Sequence, residues 1–160
     1  SAMGEQIATT LGGIDPANQA TYQANAQTLA SEMDALDQDF QTGLSGCRTD
    51  TFVVNHAAFG YLADRYGLHQ VGIQGLSTEA EPSPARIAEV QQIATEHDLT
   101  TIFYETAVSP TVAATIAADL GLATDVLDPL ETLSPDSRGA NYLEVMESNL
   151  AALAKANGCQ

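Results

Sequence analysis

The sequence predicts an α/β fold in which a four-stranded parallel sheet carries helices on both faces and follows a long backbone helix. After residue 47, short apolar runs typical of buried strands alternate with segments whose apolar residues recur every three or four positions. Helices between strands impose right-handed parallel crossovers, so we expect the sheet to be parallel. The 160 residues, 44% of them hydrophobic, suffice for one such domain and not for two.

The chain is expected to begin with a flexible lead-in at residues 1–14. Residues 1–4 look like the remnant of a cleaved tag, and residues 5–14 have the glycine and threonine content of a loop or a frayed helix. If the natural N-terminus is missing, the lack of a signal peptide says nothing about export.

A long backbone helix is predicted over residues 15–46. Asp15 caps it, Pro16 takes the first helical position, and Ser45-Gly46 ends it. Its apolar residues follow steps of four and three and form one narrow stripe, made of Tyr22, Ala26, Leu29, Met33, Leu36, Phe40 and Leu44. Because a small sheet cannot cover a helix of this length, we expect part of the stripe to be exposed and to support a homodimer.

Four strand and helix pairs follow and make residues 47–160 one α/β lobe. The strands are expected at 51–55, 71–75, 100–105 and 123–127, and the helices at 57–66, 84–97, 110–120 and 139–156. Glycines and Ser-Pro pairs mark several of the helix limits, namely Gly67, Gly121, Ser83-Pro84 and Ser109-Pro110.

The composition disfavours nucleic acid as a partner. Five basic and 21 acidic residues give a net charge of −16, which repels phosphate backbones and anionic lipid surfaces. The same charge suits a cation-binding protein, although solubility in a salty environment would select it equally.

The two cysteines allow two interpretations. Cys47 precedes the first strand and Cys159 follows the last helix, so a disulfide could join the two ends of the lobe. A loop of that length would stabilise the fold by roughly 4–5 kcal/mol in the chain-entropy model, which suits an exported domain. The alternative is a pair of structural thiols in a cytosolic protein. We favour the disulfide, since neither cysteine has a CxxC or Cys/His neighbour.

The candidate functional residues follow the strands. In a parallel sheet the carboxyl ends of the strands share one edge, and ligands bind there. This edge receives Asn55 and His56 from the first strand, Glu105 from the third and Asp128 from the fourth, while the second loop contributes Gln74, Ser77, Glu79 and Glu81. One imidazole with one or two carboxylates indicates part of a divalent-metal site, and zinc accepts this mixture. Two protein ligands are too few for high affinity, so the others would lie on a domain outside this chain.

Other interpretations of His56 remain open. It could cap the following helix, or it could serve as a general base in a small enzyme or sensor of flavodoxin-like architecture. An enzyme has little support, because the sequence contains no GxGxxG, GxxxxGK[ST] or GxSxG motif. His69 and His97 are expected to be surface residues away from this edge.

From about residue 15 to its end, the chain resembles the C-terminal half of the solute-binding proteins that feed zinc ABC importers. The resemblance implies two α/β lobes joined by a rigid backbone helix, here residues 16–45, with the metal held between the lobes and no enzymatic activity. The motifs that carry it are His56-Ala-Ala-Phe-Gly-Tyr-Leu-Ala63, Glu81-Pro-Ser-Pro84, Phe103-Tyr-Glu105, Leu127-Asp-Pro-Leu130 and Asn141-Tyr-Leu-Glu-Val-Met146.

The resemblance also implies a role for individual residues. His56 would be the third metal ligand, a position at which manganese carriers commonly have glutamate, and Asp128 would be the fourth, a carboxylate. Glu105, with Asn55, would orient the ligands through hydrogen bonds. The first two ligands would come from the missing N-terminal lobe, so this chain alone is expected to bind Zn²⁺ weakly. The implied partner is the membrane permease of an ABC importer, the implied location is extracytoplasmic, as a periplasmic protein or a cell-surface lipoprotein, and a disulfide in this lobe also fits the family.

Overall fold

A computed structural model of the chain describes residues 2–75, 81–106 and 109–160. In chain order the elements are α1 (Ala2–Ile14), a 3-10 turn (Pro16–Asn18), α2 (Gln19–Gly43), β1 (Thr51–Val54), α3 (Gly60–Tyr66), β2 (His69–Gly72), α4 (Pro84–Glu96), β3 (Thr101–Tyr104), α5 (Thr111–Leu120), β4 (Ala123–Val126) and α6 (Tyr142–Asn157). The chain forms two compact units, Ser1–Phe40 and Gln41–Gln160. Within the described residues, no helix is both long enough and apolar enough to cross a bilayer.

The first unit is a pair of helices joined by a short turn. The Asp15 carboxylate closes the turn by accepting hydrogen bonds from Asn18 Nδ2 (2.7 Å) and from the Tyr22 hydroxyl (3.1 Å), and these bonds lower the pKa of Asp15. Residues of α1 and of the first half of α2 line one shared groove, so the two helices lie side by side. Residues 2–14 thus form a regular helix where the sequence suggested a loop or a frayed helix, and their assignment as a flexible lead-in stays a prediction.

The apolar stripe of the long helix is less exposed than the sequence suggests. Ala26, Leu36 and Phe40 of α2 are buried, whereas Leu29 is exposed. The exposed apolar stripe lies instead on α1, where Met3, Ile7, Leu11 and Ile14 recur at helical spacing. The sequence interpretation missed this stripe because it treated the first helix as a loop.

The second unit contains a four-stranded parallel sheet with strand order β2-β1-β3-β4, which confirms the predicted fold class. The chain runs outward from β1 to β2, then crosses back over β1 to β3 and continues to β4. Because each crossover is right-handed, this reversal puts α3 on one face of the sheet and both α4 and α5 on the other. The strand order switches direction between β1 and β3, which is where ligands bind in open α/β sheets.

The two faces of the sheet have separate cores. On one face, Val53 and Ile102 pack with Val90 of α4 and Ile116 of α5 in a buried apolar cluster. On the other face, the rings of Phe52 and Phe103 meet edge to face with centroids 6.5 Å apart. Alternation along a strand places residues 52, 54 and 56 of the first segment, and 103 and 105 of the third, toward this second face.

Some element limits differ from the sequence prediction. Helix α3 begins at Gly60 and not at residue 57. In the loop before it, the amide of Ala57 donates to the Gly75 carbonyl and that of Phe59 donates to Gln70 Oε1. Strand β2 begins at His69, two residues early, because it pairs with β1 from Thr51 onward. The other strands lie within one residue or so of their predicted limits.

A disulfide joins Cys47 to Cys159, so the structure contains the pairing that we favoured from the sequence. It links the segment before β1 to the residue after the C-cap of α6, across 112 residues. Backbone hydrogen bonds from Arg48 (3.0 Å) and Thr49 (3.3 Å) to the Asn157 carbonyl hold the same two segments together.

Candidate metal centre

His56 is positioned by the backbone of the residue before it. The amide of Asn55 donates to the Phe103 carbonyl (3.0 Å), and the carbonyl of Asn55 accepts from the Gln74 amide (2.8 Å). Backbone hydrogen bonds to β3 and to the β2 segment therefore continue past the end of β1. His56 follows directly, at the switch point between β1 and β3. Its side chain does not cap α3, since the N-cap residue of that helix is Phe59, so the capping interpretation is wrong.

The structure brings His56 against Glu105. The Nδ1 atom of His56 lies 2.5 Å from Oε1 of Glu105, and the two residues are only 7% and 2% exposed. When Glu105 is ionised its carboxylate can only accept, so Nδ1 then carries the hydrogen and the imidazole is held by its Nδ1 side. The nitrogen at the far side of the ring, Nε2, is then the one with a lone pair to offer a metal ion.

Glu105 is a buried acid in a negatively charged neighbourhood. Burial raises the pKa of the Glu105 carboxyl above its ordinary value, and the negative charges of Glu131 and Asp128 raise it further. The hydrogen bond and charge of His56 act in the opposite direction and do not cancel the effect of burial. A nearby cation would favour the ionised form of this group.

The Asp128 carboxylate is oriented by two donors. Its Oδ1 atom accepts from the backbone amide of Leu130 (2.8 Å), and its Oδ2 atom accepts from the hydroxyl of Thr106 (3.3 Å). Asp128 is 3% exposed and lines a cavity of about 370 Å³. The walls of the cavity are largely aromatic and apolar, including Phe59, Tyr66, Leu130, Tyr142 and Met146.

His56 and Asp128 are connected through consecutive residues of the β3 loop. Glu105 bonds His56, and the next residue, Thr106, bonds Asp128. The residues that the structure describes contain no group of three or more His, Cys, Asp or Glu side chains placed to hold a metal ion. The described part of the sheet edge therefore brings one imidazole and two carboxylates together through the hydrogen bonds of Glu105 and Thr106.

The remaining candidates from the sequence fall elsewhere. Asn55 is buried, but neither of its side-chain amide atoms has a hydrogen-bond partner among the described residues, and it follows the strand alternation to the face opposite His56. In the second loop Glu81 is exposed, and Ser77 and Glu79 lie outside the described residues.

The other two histidines are remote from this edge. His69 starts β2 opposite Thr51, and His97 is the C-cap of α4 with its Nδ1 atom 3.2 Å from the Thr51 hydroxyl. Both are exposed, as expected, and both lie at the amino end of the sheet.

Sequence reasoning missed Asn149 and Glu131. Asn149 on α6 makes two hydrogen bonds to the backbone of Asp128, and Glu131 contributes to the negative field around Glu105. A signal for Asn149 was available, because it stands at helical spacing between Val145 and Leu153 in an otherwise apolar stripe. Nothing in the pattern around Glu131 distinguishes it from other surface acids.

The fold and this partial site define a class of protein, the α/β binding proteins whose ligand site lies at the carboxyl edge of a parallel sheet. The model of the ZnuA family, described as zinc-uptake complex component A, periplasmic, matches residues 1–156, and the chain belongs to this family. Members of this family are binding components of zinc uptake and not enzymes, and the family description places them outside the cytoplasm.

Individual relatives agree with the family assignment. The chain is 42% identical over 151 residues to the zinc-binding lipoprotein AdcA of Streptococcus pneumoniae, covering 93% of this chain and 30% of that protein. A Zn(II)-bound mutant variant of AdcAII from the same species superposes with a TM-score of 0.81 at 37% identity, covering 96% of this chain and 55% of that one. The laminin-binding protein Lmb of Streptococcus agalactiae, described as having adhesin and metal-transporting activity, gives a TM-score of 0.84 at 37% identity, with 94% and 58% covered. The chain therefore spans about a third of the length of AdcA and somewhat over half of the solved chains.

Proposed function

We propose that residues 1–160 are the C-terminal lobe and backbone helix of an extracytoplasmic protein that captures Zn²⁺ and delivers it to the membrane permease of an ABC importer. The observation that carries this proposal is the buried His56–Glu105 pair at the switch point of the sheet. A carboxylate that holds one nitrogen of a histidine fixes the ring and raises the basicity of the other nitrogen, as in many zinc sites.

In this proposal His56 and Asp128 bind the ion directly. His56 would coordinate through Nε2, and Asp128 would add an oxygen ligand that also neutralises charge. Imidazole favours zinc over manganese, which prefers carboxylate and water, so the presence of His56 supports zinc as the cargo.

The other ligands would come from a second lobe outside this sequence. A tetrahedral site of high affinity needs three or four protein ligands. The described residues contain no group of three or more candidate ligands, and this proposal takes two from them, His56 and Asp128. Capture would occur when both lobes close on the ion, and release would occur when they part at the permease. The chemistry is coordination alone, with no covalent bond made or broken.

Calorimetric titration of zinc into the complete protein tests the role of His56. We expect His56→Ala to weaken zinc binding on the order of 100-fold, since about 3 kcal/mol is one ligand's share of the binding free energy of a four-ligand zinc site. His69→Ala is the matched control, because it removes an exposed imidazole at the opposite edge of the sheet. Equal affinities of the His56→Ala variant and the wild type would contradict the proposal.

A further inference from the structure

We propose that Asn149 is a positioning residue for zinc binding, which acts by fixing the peptide groups on both sides of Asp128. This inference rests on the proposed function, because it takes Asp128 to be a zinc ligand. The amide of Asp128 donates to Oδ1 of Asn149 (2.9 Å), and Nδ2 of Asn149 donates to the carbonyl of Asp128 (2.7 Å). Asn149 is 2% exposed, so both bonds are shielded from water.

These two bonds replace the sheet pairing that ends just before Asp128. Among the described residues, the last backbone bond of this strand in the ladder runs from the amide of Leu127 to the carbonyl of Tyr104 (3.0 Å). Strand β4 is at the edge of the sheet, so no strand of the described chain lies on the other side of it. The side-chain amide of Asn149 has both N–H donors and an acceptor oxygen, so it can bond the amide and the carbonyl of Asp128 as a neighbouring strand would.

The fixed peptide groups in turn set the direction of the carboxylate. With the backbone of Asp128 held, the chain turns through Pro129 into Leu130, which takes a positive φ of 62° and points its amide at Oδ1 of Asp128 (2.8 Å). Thr106 holds the other oxygen. A carboxylate oxygen accepts more than one bond, so each retains a lone pair for a cation.

Precise placement matters because the two proposed ligands stand on different loops. Ligand positions must hold to within about 0.5 Å for a tetrahedral ion to be bound tightly. His56 is fixed by Glu105, and Asn149 has the equivalent role for Asp128, although it does so through the backbone. Residues that orient a metal ligand by hydrogen bonding to it typically contribute 10-fold to 100-fold to metal affinity.

A double-mutant cycle in the complete protein tests this inference. Zinc affinity would be measured by competition with a chromophoric chelator for the wild type, Asn149→Ala, Asp128→Ala and the double variant. We expect Asn149→Ala to weaken binding 10-fold to 100-fold when Asp128 is present, and less than about 2-fold when Asp128 is already alanine. The absorption of bound Co²⁺ should also change in Asn149→Ala, because the carboxylate ligand is displaced.

The controls distinguish misplacement of the Asp128 carboxylate from a general loss of folded structure. Asn157→Ala removes another buried side-chain amide from α6. Asn157 lies at the C-terminal end of the helix, where its carbonyl accepts from Arg48 and Thr49, so this variant should leave the zinc affinity and the Co²⁺ spectrum unchanged. If Asn149→Ala does not fold, Asn149→Leu keeps a side chain of similar size and removes both hydrogen bonds to the backbone of Asp128, and the same loss of affinity is expected. An equal loss in both Asp128 backgrounds, or no loss, would overturn the inference and leave the role of Asp128 intact. If Asp128→Ala itself binds zinc normally, the proposed ligand role fails and the inference fails with it.

Discussion

At the residue scale, the candidate site depends on which atoms of His56 and Asp128 already take part in hydrogen bonds. Glu105 takes Nδ1 of His56, and Leu130 with Thr106 takes one lone pair on each oxygen of Asp128. Each proposed ligand is thus oriented by hydrogen bonds that leave one coordinating atom available. Sequence position made His56 and Asp128 the candidate ligands, because both follow the ends of predicted strands, and their role as ligands stays a prediction. It could not identify the atoms, since these depend on contacts between residues 49 positions apart for His56 and 22 positions apart for Asp128.

Removing the charge of Glu105 should weaken zinc binding without removing a ligand. Glu105→Gln keeps the size of the side chain and an oxygen that can accept from His56 Nδ1, but it no longer raises the basicity of the ring. We expect a 10-fold to 100-fold loss of zinc affinity, measured by calorimetry in the complete protein. Glu81→Gln, which neutralises an exposed acid of the preceding loop, serves as control. Indistinguishable affinities for the two variants would show that Glu105 does not support His56.

At the element scale, the loop between β1 and α3 is what the sequence pattern described least well. The apolar periodicity from residue 57 onward indicated a helix, whereas Ala57 and Phe59 are used in hydrogen bonds to the β2 segment and the helix starts at Gly60. Local propensity predicts a helix for such a segment because it takes no account of hydrogen bonds to a neighbouring strand. The central strands β1 and β3 were predictable, since their burial produces short apolar runs.

Gly72 should be required for this loop to pack. A Cβ atom at Gly72 would overlap the carbonyl oxygen of Gln74 and would lie 3.1 Å from Cβ of Ala57, directly after His56. We therefore expect Gly72→Ala to lower the free energy of unfolding by about 1–3 kcal/mol, as measured by urea denaturation.

Gly60 provides the matched control for that substitution. A Cβ atom there meets nothing within 4 Å, and the residue is the first of α3. Gly60→Ala should be neutral or stabilising by up to about 1 kcal/mol. Similar stabilities for both variants would mean that the β2 segment moves aside easily and does not fix the His56 loop.

At the scale of the whole molecule, the sequence predicted the order of the strands and helices better than it predicted which helix residues are exposed. The order of strands and helices required a parallel sheet with crossovers, and the observed order β2-β1-β3-β4 satisfies that requirement. The exposed stripe was expected on α2, where Leu29 is exposed but Leu36 and Phe40 are buried; a longer exposed stripe lies on α1, which the sequence interpretation treated as a loop or a frayed helix. The limits of the proposed domains, at residues 14 and 46, stay predictions.

The disulfide should account for a large share of the stability of the second unit. Cys47 and Cys159 are 112 residues apart, so the bond restricts nearly the whole unfolded chain of this unit. The joint substitution Cys47→Ser and Cys159→Ser should lower the free energy of unfolding by about 4–5 kcal/mol, as measured by urea denaturation. A reductant should destabilise the wild type similarly and leave the double variant unchanged. A loss below about 1 kcal/mol would contradict this expectation.

The most direct test of the zinc-site proposal is zinc-edge anomalous scattering from crystals of the zinc-loaded complete protein. We expect a single zinc ion about 2.0–2.1 Å from Nε2 of His56 and about 2.0–2.2 Å from a carboxylate oxygen of Asp128, with Nδ1 of His56 still bonded to Glu105. Zinc bound at a position that involves neither His56 nor Asp128 would contradict the proposed function of this chain.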